Sequence, residues 1–167
     1  MDLKSYLPKK QEVVDRFLKN YLAAKKINSN CPKKLYKAMR YSLMAGGKRL
    51  RPILAIASYE TAGGKSKNII PIAASLELIH TYSLIHDDLP AMDNDDFRRN
   101  KPTSHMVFGE AVAILAGDAL LTEAFGIIAN TTANPEILIK IINELTHACG
   151  TRGMVGGQTA DIIFEDR

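Results

Sequence analysis

Five aspartates fall within the ten residues from Asp87 to Asp96, in the run His86-Asp87-Asp88-Leu89-Pro90-Ala91-Met92-Asp93-Asn94-Asp95-Asp96-Phe97-Arg98-Arg99. Read conservatively, this is a solvated acidic loop capping a helix. Oxygen ligands at this density also suit Mg²⁺, which takes one or two protein carboxylates and completes its shell with water and substrate phosphate. An EF-hand does not fit, because counting from Asp93 places Arg98 where the glycine belongs. Asp87 and Asp93 stand roughly 240° apart on an ideal helix at about 100° per residue. They share a ligand only if the helix breaks, and Pro90 supplies the break by removing a donor and crowding the preceding turn.

A second group of residues, Gly46-Gly47-Lys48-Arg49-Leu50-Arg51-Pro52, precedes another apolar stretch. Paired glycines let backbone approach a ligand, and Lys48 and Arg51 offer charge-assisted donors to phosphate. A basic helix–helix turn is the plain alternative, and the spacing is not that of a P-loop. His80 lies nearly two helical turns before Asp87, on roughly the same face, where it is either packing filler or a phosphate contact. Gln158 and Asp161, at i and i+3, form a further polar pair on one helix face.

The elements that must position these groups read as helices. Apolar stripes at helical spacing predict helices over Glu12–Ala24, from Pro32 through Leu43, from Pro52 to about Ala62, and from Ile69 to about Asp88. Three more are predicted over Glu110–Ala129, from Pro135 to about Ala148, and over Gly150–Asp166, the last with close glycine packing at Gly153, Gly156 and Gly157. Gly46-Gly47 and Gly63-Gly64 punctuate the series. The Glu110–Ala129 stretch is apolar on nearly all sides and is expected to be buried. Strand-like alternation is scarce. The expected fold is all-α, about seven helices, several near 20 residues and so roughly 30 Å long, bundled around an interior pocket.

Composition narrows the function classes. The 167 residues are 46% hydrophobic and 24% charged, which is globular and sufficient for one core. Tryptophan is absent and aromatics are 7%, against stacking-based nucleic-acid or sugar binding. A net charge of +4 admits an anionic partner. Cys31 and Cys149 are too few and too far apart for a disulfide framework or zinc site. No secretory h-region is evident before Pro8, and no uninterrupted apolar run reaches a membrane-spanning length. A cytoplasmic location is expected.

Together the motifs GGKRLRP, HTYSLIHDDLPAMDNDDFRRNKPTSH, GDALL and GGQTAD resemble the trans-prenyltransferase (polyprenyl synthetase) family, in its bacterial farnesyl diphosphate synthase type. The similarity runs from about residue 35 onward, in the family's order and spacing. It implies an all-α antiparallel helix bundle of the isoprenoid synthase type around a deep central cavity. It also implies a Mg²⁺-dependent condensation of isopentenyl diphosphate with an allylic diphosphate. Carried over by position, Asp87 and Asp93 ligate Mg²⁺ at two sites, Asp88 supports them, and Arg98 contacts the allylic diphosphate. Gly47, Lys48, Arg51, His80 and Arg99 hold isopentenyl diphosphate, while Gln158 and Asp161 lie near the allylic substrate. The family's length-controlling position, five before the first aspartate, is Tyr82, with Ser83 beside it. An aromatic there, and the two extra residues of the motif, imply farnesyl diphosphate, with geranylgeranyl diphosphate as the alternative.

Members of the family carry a second aspartate-rich motif and a Lys-Thr pair, and neither occurs in residues 1–167. The expectation is therefore the N-terminal part of a single prenyltransferase domain, its C-terminal half absent, a third Mg²⁺ site lying in that half, and condensation by the chain alone lost or severely impaired. A homodimer is expected, with no nucleic-acid partner. Competing readings are a non-catalytic prenyltransferase-like partner subunit, disfavoured by the intact Asp87, Asp93, Arg98 and Arg99, and a class I terpene cyclase, which has no use for the Gly46–Pro52 segment. A nucleic-acid-binding helical module is a distant alternative, marked by steep salt dependence without response to Mg²⁺ or isoprenoid diphosphates.

Overall fold

A computed structural model describes residues 2–28 and 30–165. Eight helices occur among them: α1 (Leu3–Asn28), α2 (Lys33–Leu43), α3 (Leu50–Thr61), α4 (Ile69–Asp87), α5 (Ser104–Phe108), α6 (Glu110–Ala129), α7 (Pro135–Cys149) and α8 (Met154–Glu165). Between α4 and α5 lies one hairpin, β1 (Phe97–Arg98) with β2 (Lys101–Pro102). The all-α expectation holds. The short α5 and the hairpin are additions that two-residue strands and a five-residue helix leave too little periodicity to announce.

Helix α4 is the axis of the bundle, packed by α1, α2, α3 and, most extensively, α6. Its sequence explains that position. Ala73, Ala74, Leu78, Ile79, Tyr82 and Ile85 are all buried, on several sides of the helix, and none of its residues is fully exposed. On α6, Ala113, Ala116, Gly117, Leu120, Ala124, Ile127 and Ile128 form one buried stripe at helical spacing. The small residues let the two axes approach. Burial of α6 on all sides is not observed: Ile114 and Leu115 on its opposite face are 42% and 56% exposed. Both α4 and α6 are long and apolar enough to cross a membrane by length and composition, and both are partly buried inside this bundle.

Helix α1 begins nine residues before the predicted start at Glu12, with Tyr6 N–H donating to the Asp2 carbonyl at 3.0 Å. Its early turns are polar and lie outside the apolar stripe. They are fastened instead by side chains: the Tyr6 hydroxyl donates to Glu60 at 2.8 Å, and Lys10 pairs with the same carboxylate. At the other end, α8 starts at Met154, not Gly150, and Asp166 lies outside the described residues. Gly153 and Gly156 meet backbone carbonyls of the α7–α8 turn closely, whereas no atom approaches the Cβ position of Gly157.

Candidate active site

The aspartate-rich segment folds back on the end of α4. After Asp87 the chain leaves the helix, Leu89 N–H bonds to the His86 carbonyl (3.1 Å), and Asn94 N–H returns to Leu89 (3.1 Å). The bend closes with Asp93 N–H donating to the Asp87 carbonyl at 2.9 Å. Asn94, at φ 54, makes the reversal. The break expected at Pro90 thus brings the two aspartates six residues apart to one place. Burial raises the Asp87 carboxyl above the usual carboxylate range, and the charge of Asp93 raises it further, with Arg98 opposing. A carboxylate pushed up by a neighbouring carboxylate is an arrangement suited to a cation.

Asp88 points elsewhere. It is 4% exposed and accepts a 2.7 Å hydrogen bond from Arg98 Nε. Burial raises its carboxyl, and the Arg98 hydrogen bond pulls the other way. The second aspartate of the pair therefore anchors Arg98, whose Nη2 also lies 3.6 Å from Asp95.

Arg99 and Asn100, at φ 55 and 61, form the two-residue turn between β1 and β2. Positive φ at both central positions is the turn that suits a hairpin's twist, although arginine seldom occupies it. The turn throws Arg99 across to the Gly46-Gly47 segment, where Nη1 donates to the Gly46 carbonyl. Gly47 sits at φ 132, and a Cβ there would lie 2.7 Å from Arg99 Nη1. Gly47 thus suits its backbone conformation, and a side chain there would displace the Arg99 guanidinium. On the other side, Gln11 Nε2 donates to the Gly47 carbonyl at 3.0 Å.

Within the basic motif the three cations divide. Arg49, at φ 51 and 3% exposed, turns inward to Asp15 (2.8 Å), Glu77 (2.7 Å) and the Leu43 carbonyl (2.9 Å). Lys48 and Arg51 stay exposed, with no ion pair among the described residues. His80 is half-buried. Burial lowers its proton affinity, and the charges of Arg51, then Arg99 and Arg98, lower it further, with Glu77 opposing. Three arginines acting on one imidazole are a concentration of positive charge suited to an anion.

The site therefore joins Asp87, Asp93, Arg98, Arg99, Gly47, Arg51 and His80, with Lys48 on the rim of the same turn. Among the described residues no three His, Cys, Asp or Glu side chains converge to form an all-protein metal cage. A pair of carboxylates beside cations nevertheless fits Mg²⁺, which dehydrates reluctantly and is held by one or two carboxylates plus substrate phosphates.

Other predicted residues lie apart. Gln158 and Asp161, half-buried and exposed on α8, have no hydrogen bond to the cluster among the described residues. Tyr82 is 7% exposed on α4, its ring edge-on to His86 with centroids 5.7 Å apart. Burial raises its hydroxyl's proton affinity, with Cys149 on α7 and Asp87 adding to the effect. Ser83 is half-buried, with its hydroxyl spent on the His80 carbonyl at 3.0 Å.

Sequence reasoning missed the supports: Gln11, Asp15, Arg49, Glu77 and His86. Glu77 carried a signal, as the lone acid in the apolar Ile69–Ile79 run, since a buried charge needs a partner. His86 Nε2 lies 3.1 Å from the Ile114 carbonyl, and a Cβ on Gly117 would overlap its ring. The glycine of the GDALL motif thereby makes room for the residue preceding Asp87.

The polyprenyl synthetase family profile matches residues 32–167. The chain is 49% identical over 168 residues to a farnesyl diphosphate synthase of Bacillus subtilis (strain 168), covering 99% of this chain and 55% of that one. It is equally 49% identical over 168 residues to a geranylgeranyl diphosphate synthase of Cyanophora paradoxa, covering 99% and 54%. A crystal structure of a geranyltransferase from Legionella pneumophila superposes with a TM-score of 0.89 at 38% identity, covering 95% of this chain and 55% of that one. The chain thus spans about half the length of the curated relatives it matches. The chain therefore belongs to the polyprenyl synthetase family.

Proposed function

We propose that residues 1–167 supply the diphosphate-binding half of a prenyl diphosphate synthase, which condenses isopentenyl diphosphate with an allylic diphosphate to give farnesyl diphosphate. The observation that carries the reading is the double closure of the site. Asp93 folds onto Asp87 through the backbone, and Arg99 folds onto Gly46, which draws carboxylates and arginines together beyond the end of α4.

In this reading Asp87 and Asp93 would hold Mg²⁺, which when bound neutralises the charge of the departing diphosphate. Asp88 keeps the Arg98 side chain extended towards the allylic diphosphate. Gly47, Lys48, Arg51, His80 and Arg99 bind isopentenyl diphosphate, the glycine by admitting the arginine and exposing backbone. Gln158 and Asp161 approach the allylic substrate from α8. Preorganised cations of this kind stabilise charge as it develops and cost no reorganisation at the moment of reaction. The apolar wall of α4 below Asp87 receives the growing tail and keeps water from the allylic cation. The protein acts in the cytoplasm as a homodimer; Ile114 and Leu115 on α6, with Ile137 and Ile139 on α7, are exposed apolar residues available to such an interface.

The farnesyl product rests on Tyr82, roughly 7.5 Å along the helix axis from Asp87 at about 1.5 Å per residue. Its burial and edge contact with His86 support a ring that closes the tail's path. The geranylgeranyl reading is favoured by the equal identity to a synthase of that product. A chimera separates them. Residues 1–167 replace the segment they match in the Cyanophora paradoxa synthase, and products are resolved by chain length. Farnesyl diphosphate from the chimera, reverting to geranylgeranyl diphosphate with Tyr82→Ala, is the expected outcome. A chimera that makes only the longer product, with or without Tyr82, refutes the floor. Insertion into the Bacillus subtilis synthase checks competence, since activity there is expected whichever residue sets length.

A further inference from the structure

We propose that Thr103 and His105 form a buried latch that positions Arg98 and Arg99, making them positioning residues of the diphosphate site. This rests on the reading of that site given above. Both arginines are carried by a hairpin whose strands are two residues each. So short a ribbon cannot hold its own geometry in water. Something outside it must fix the segment, and the Pro-Thr-Ser-His run immediately after β2 does so.

The Thr103 hydroxyl lies 2.8 Å from the Asp95 carbonyl and 3.3 Å from that of Asp96. Its backbone N–H donates to the Asp96 carbonyl at 2.9 Å. One residue after the hairpin thus ties down the two residues before it, closing a loop from Asp95 to Thr103 with both arginines inside. Thr103 is 3% exposed, so water does not compete for these bonds.

His105 completes the latch. Its Nδ1 lies 3.2 Å from Thr103 Oγ1, and the ring is 7% exposed on α5. A hydroxyl has one proton. With that proton given to the Asp95 carbonyl, Oγ1 can only accept from the ring, so His105 carries a proton on Nδ1. The relay runs His105 to Thr103 to the Asp95 backbone, linking α5, which packs on α6 and α2, to the acidic loop. The Tyr41 hydroxyl, donating to the Pro102 carbonyl at 2.8 Å, fastens the same hairpin to α2.

Ser104, between the two latch residues, provides the internal contrast. It is equally buried, yet its Oγ is the single buried side-chain polar atom without a partner among the described residues. It lines a cavity of about 40 Å³ together with Asp88, Arg98 and Arg99. Location beside the site therefore does not by itself make a hydroxyl part of the latch.

The experiment compares Thr103→Val, Thr103→Ser, Ser104→Ala and Thr131→Val in the 167-residue chain. Thr131 is a buried threonine two residues beyond the end of α6, bonded to the Ile127 carbonyl at 2.8 Å, and serves as the structural control. Affinity for inorganic pyrophosphate with Mg²⁺ is measured by calorimetry. Amide exchange is measured at Asp93, Asn94 and Thr103. Thr103→Val should weaken pyrophosphate binding about tenfold and speed exchange at those amides about tenfold, because a displaced binding group loses its alignment. Thr103→Ser should restore both to within about threefold, since it keeps the hydroxyl. Ser104→Ala and Thr131→Val should leave both unchanged, whatever they do to melting temperature. Nitrogen-15 spectra should show the His105 proton on Nδ1 and its redistribution in Thr103→Val. Unaltered exchange in Thr103→Val, or an equal loss in Thr131→Val, overturns the latch. If the unsubstituted chain binds no pyrophosphate, the diphosphate reading has failed in this chain, and the exchange and nitrogen-15 results alone decide the latch.

Discussion

Two charged clusters diverge from the Lys48–Arg51 segment and are built in opposite ways. Arg49, Asp15 and Glu77 form the first, with Arg49 and Glu77 side chains 2% and 3% exposed and every guanidinium nitrogen engaged. The second joins Asp87 and Asp93, whose charges repel, to Lys48, Arg51 and Arg99, which have no carboxylate partner among the described residues. The first cluster satisfies its cation from within its own chain and ties the start of α3 to α1, α2 and α4. The second leaves its cations without carboxylate partners among the described residues, as the proposed diphosphate site requires. The same short motif, Lys48-Arg49-Leu50-Arg51, contributes to both, with a single left-handed residue directing Arg49 inward and its neighbours outward.

The largest expected effect falls on the satisfied cluster. Arg49→Met strands the Glu77 carboxylate in the core, and breaking a buried pair in this way costs about 3–5 kcal/mol. Denaturant unfolding measures it, and a loss below about 1 kcal/mol, the level of a surface pair, would erase the distinction between the clusters.

In the incomplete cluster the same kind of change should spare stability and remove binding. Asp87→Ala and Asp93→Asn should each lower turnover, assayed in the chimeric enzyme, at least about 100-fold, the scale of a lost electrostatic contact in the transition state. The ligand-free chain carrying Asp93→Asn should melt no lower than the parent, because a repulsion has been removed. Lys48→Ala should chiefly raise KM for isopentenyl diphosphate. Identical kinetic changes in all three variants would contradict the division of roles.

Gly47→Ala should weaken pyrophosphate binding with Mg²⁺ about tenfold through misplacement of Arg99. A Cβ at Gly46 meets nothing within 4 Å. Gly46→Ala therefore costs only backbone strain, of about 1–2 kcal/mol at positive φ. Equal losses of affinity would mean that the crossing of Arg99 has no role.

The smallest effect is a pH dependence. The half-buried His80 imidazole has its proton affinity held below the ordinary value of 6.5. As pH falls through 6.5, the unfolded chain takes up a proton that the folded one refuses, so stability declines until the folded-state value is passed. His80→Gln should flatten that decline. A slope unchanged by the substitution would remove His80 from the cationic cluster.

Much of this was legible in one dimension. Helix α6 was predicted with its observed ends, and α4 to within one residue, because long apolar runs bounded by glycine or by Pro90 leave few alternatives. The candidate ligating residues could be named as well, since acidic density and a Gly-Gly-basic run are compositional facts. The partners of those residues could not. Arg49 reads like Lys48 and Arg51 until its φ of 51 and its bonds to residues 34 and 28 positions away are seen.

The long helices and the family were therefore readable from sequence alone, because both depend on local spacing and residue type. Tertiary structure decided which charges are spent and which remain available. It set Asp88 on Arg98 and Arg99 over Gly47, and it left Ile114 and Leu115 of an apolar helix exposed. Those outcomes depend on which groups meet across long sequence separations. Neutralisation and desolvation are properties of a pair in its surroundings, and no residue type carries them alone.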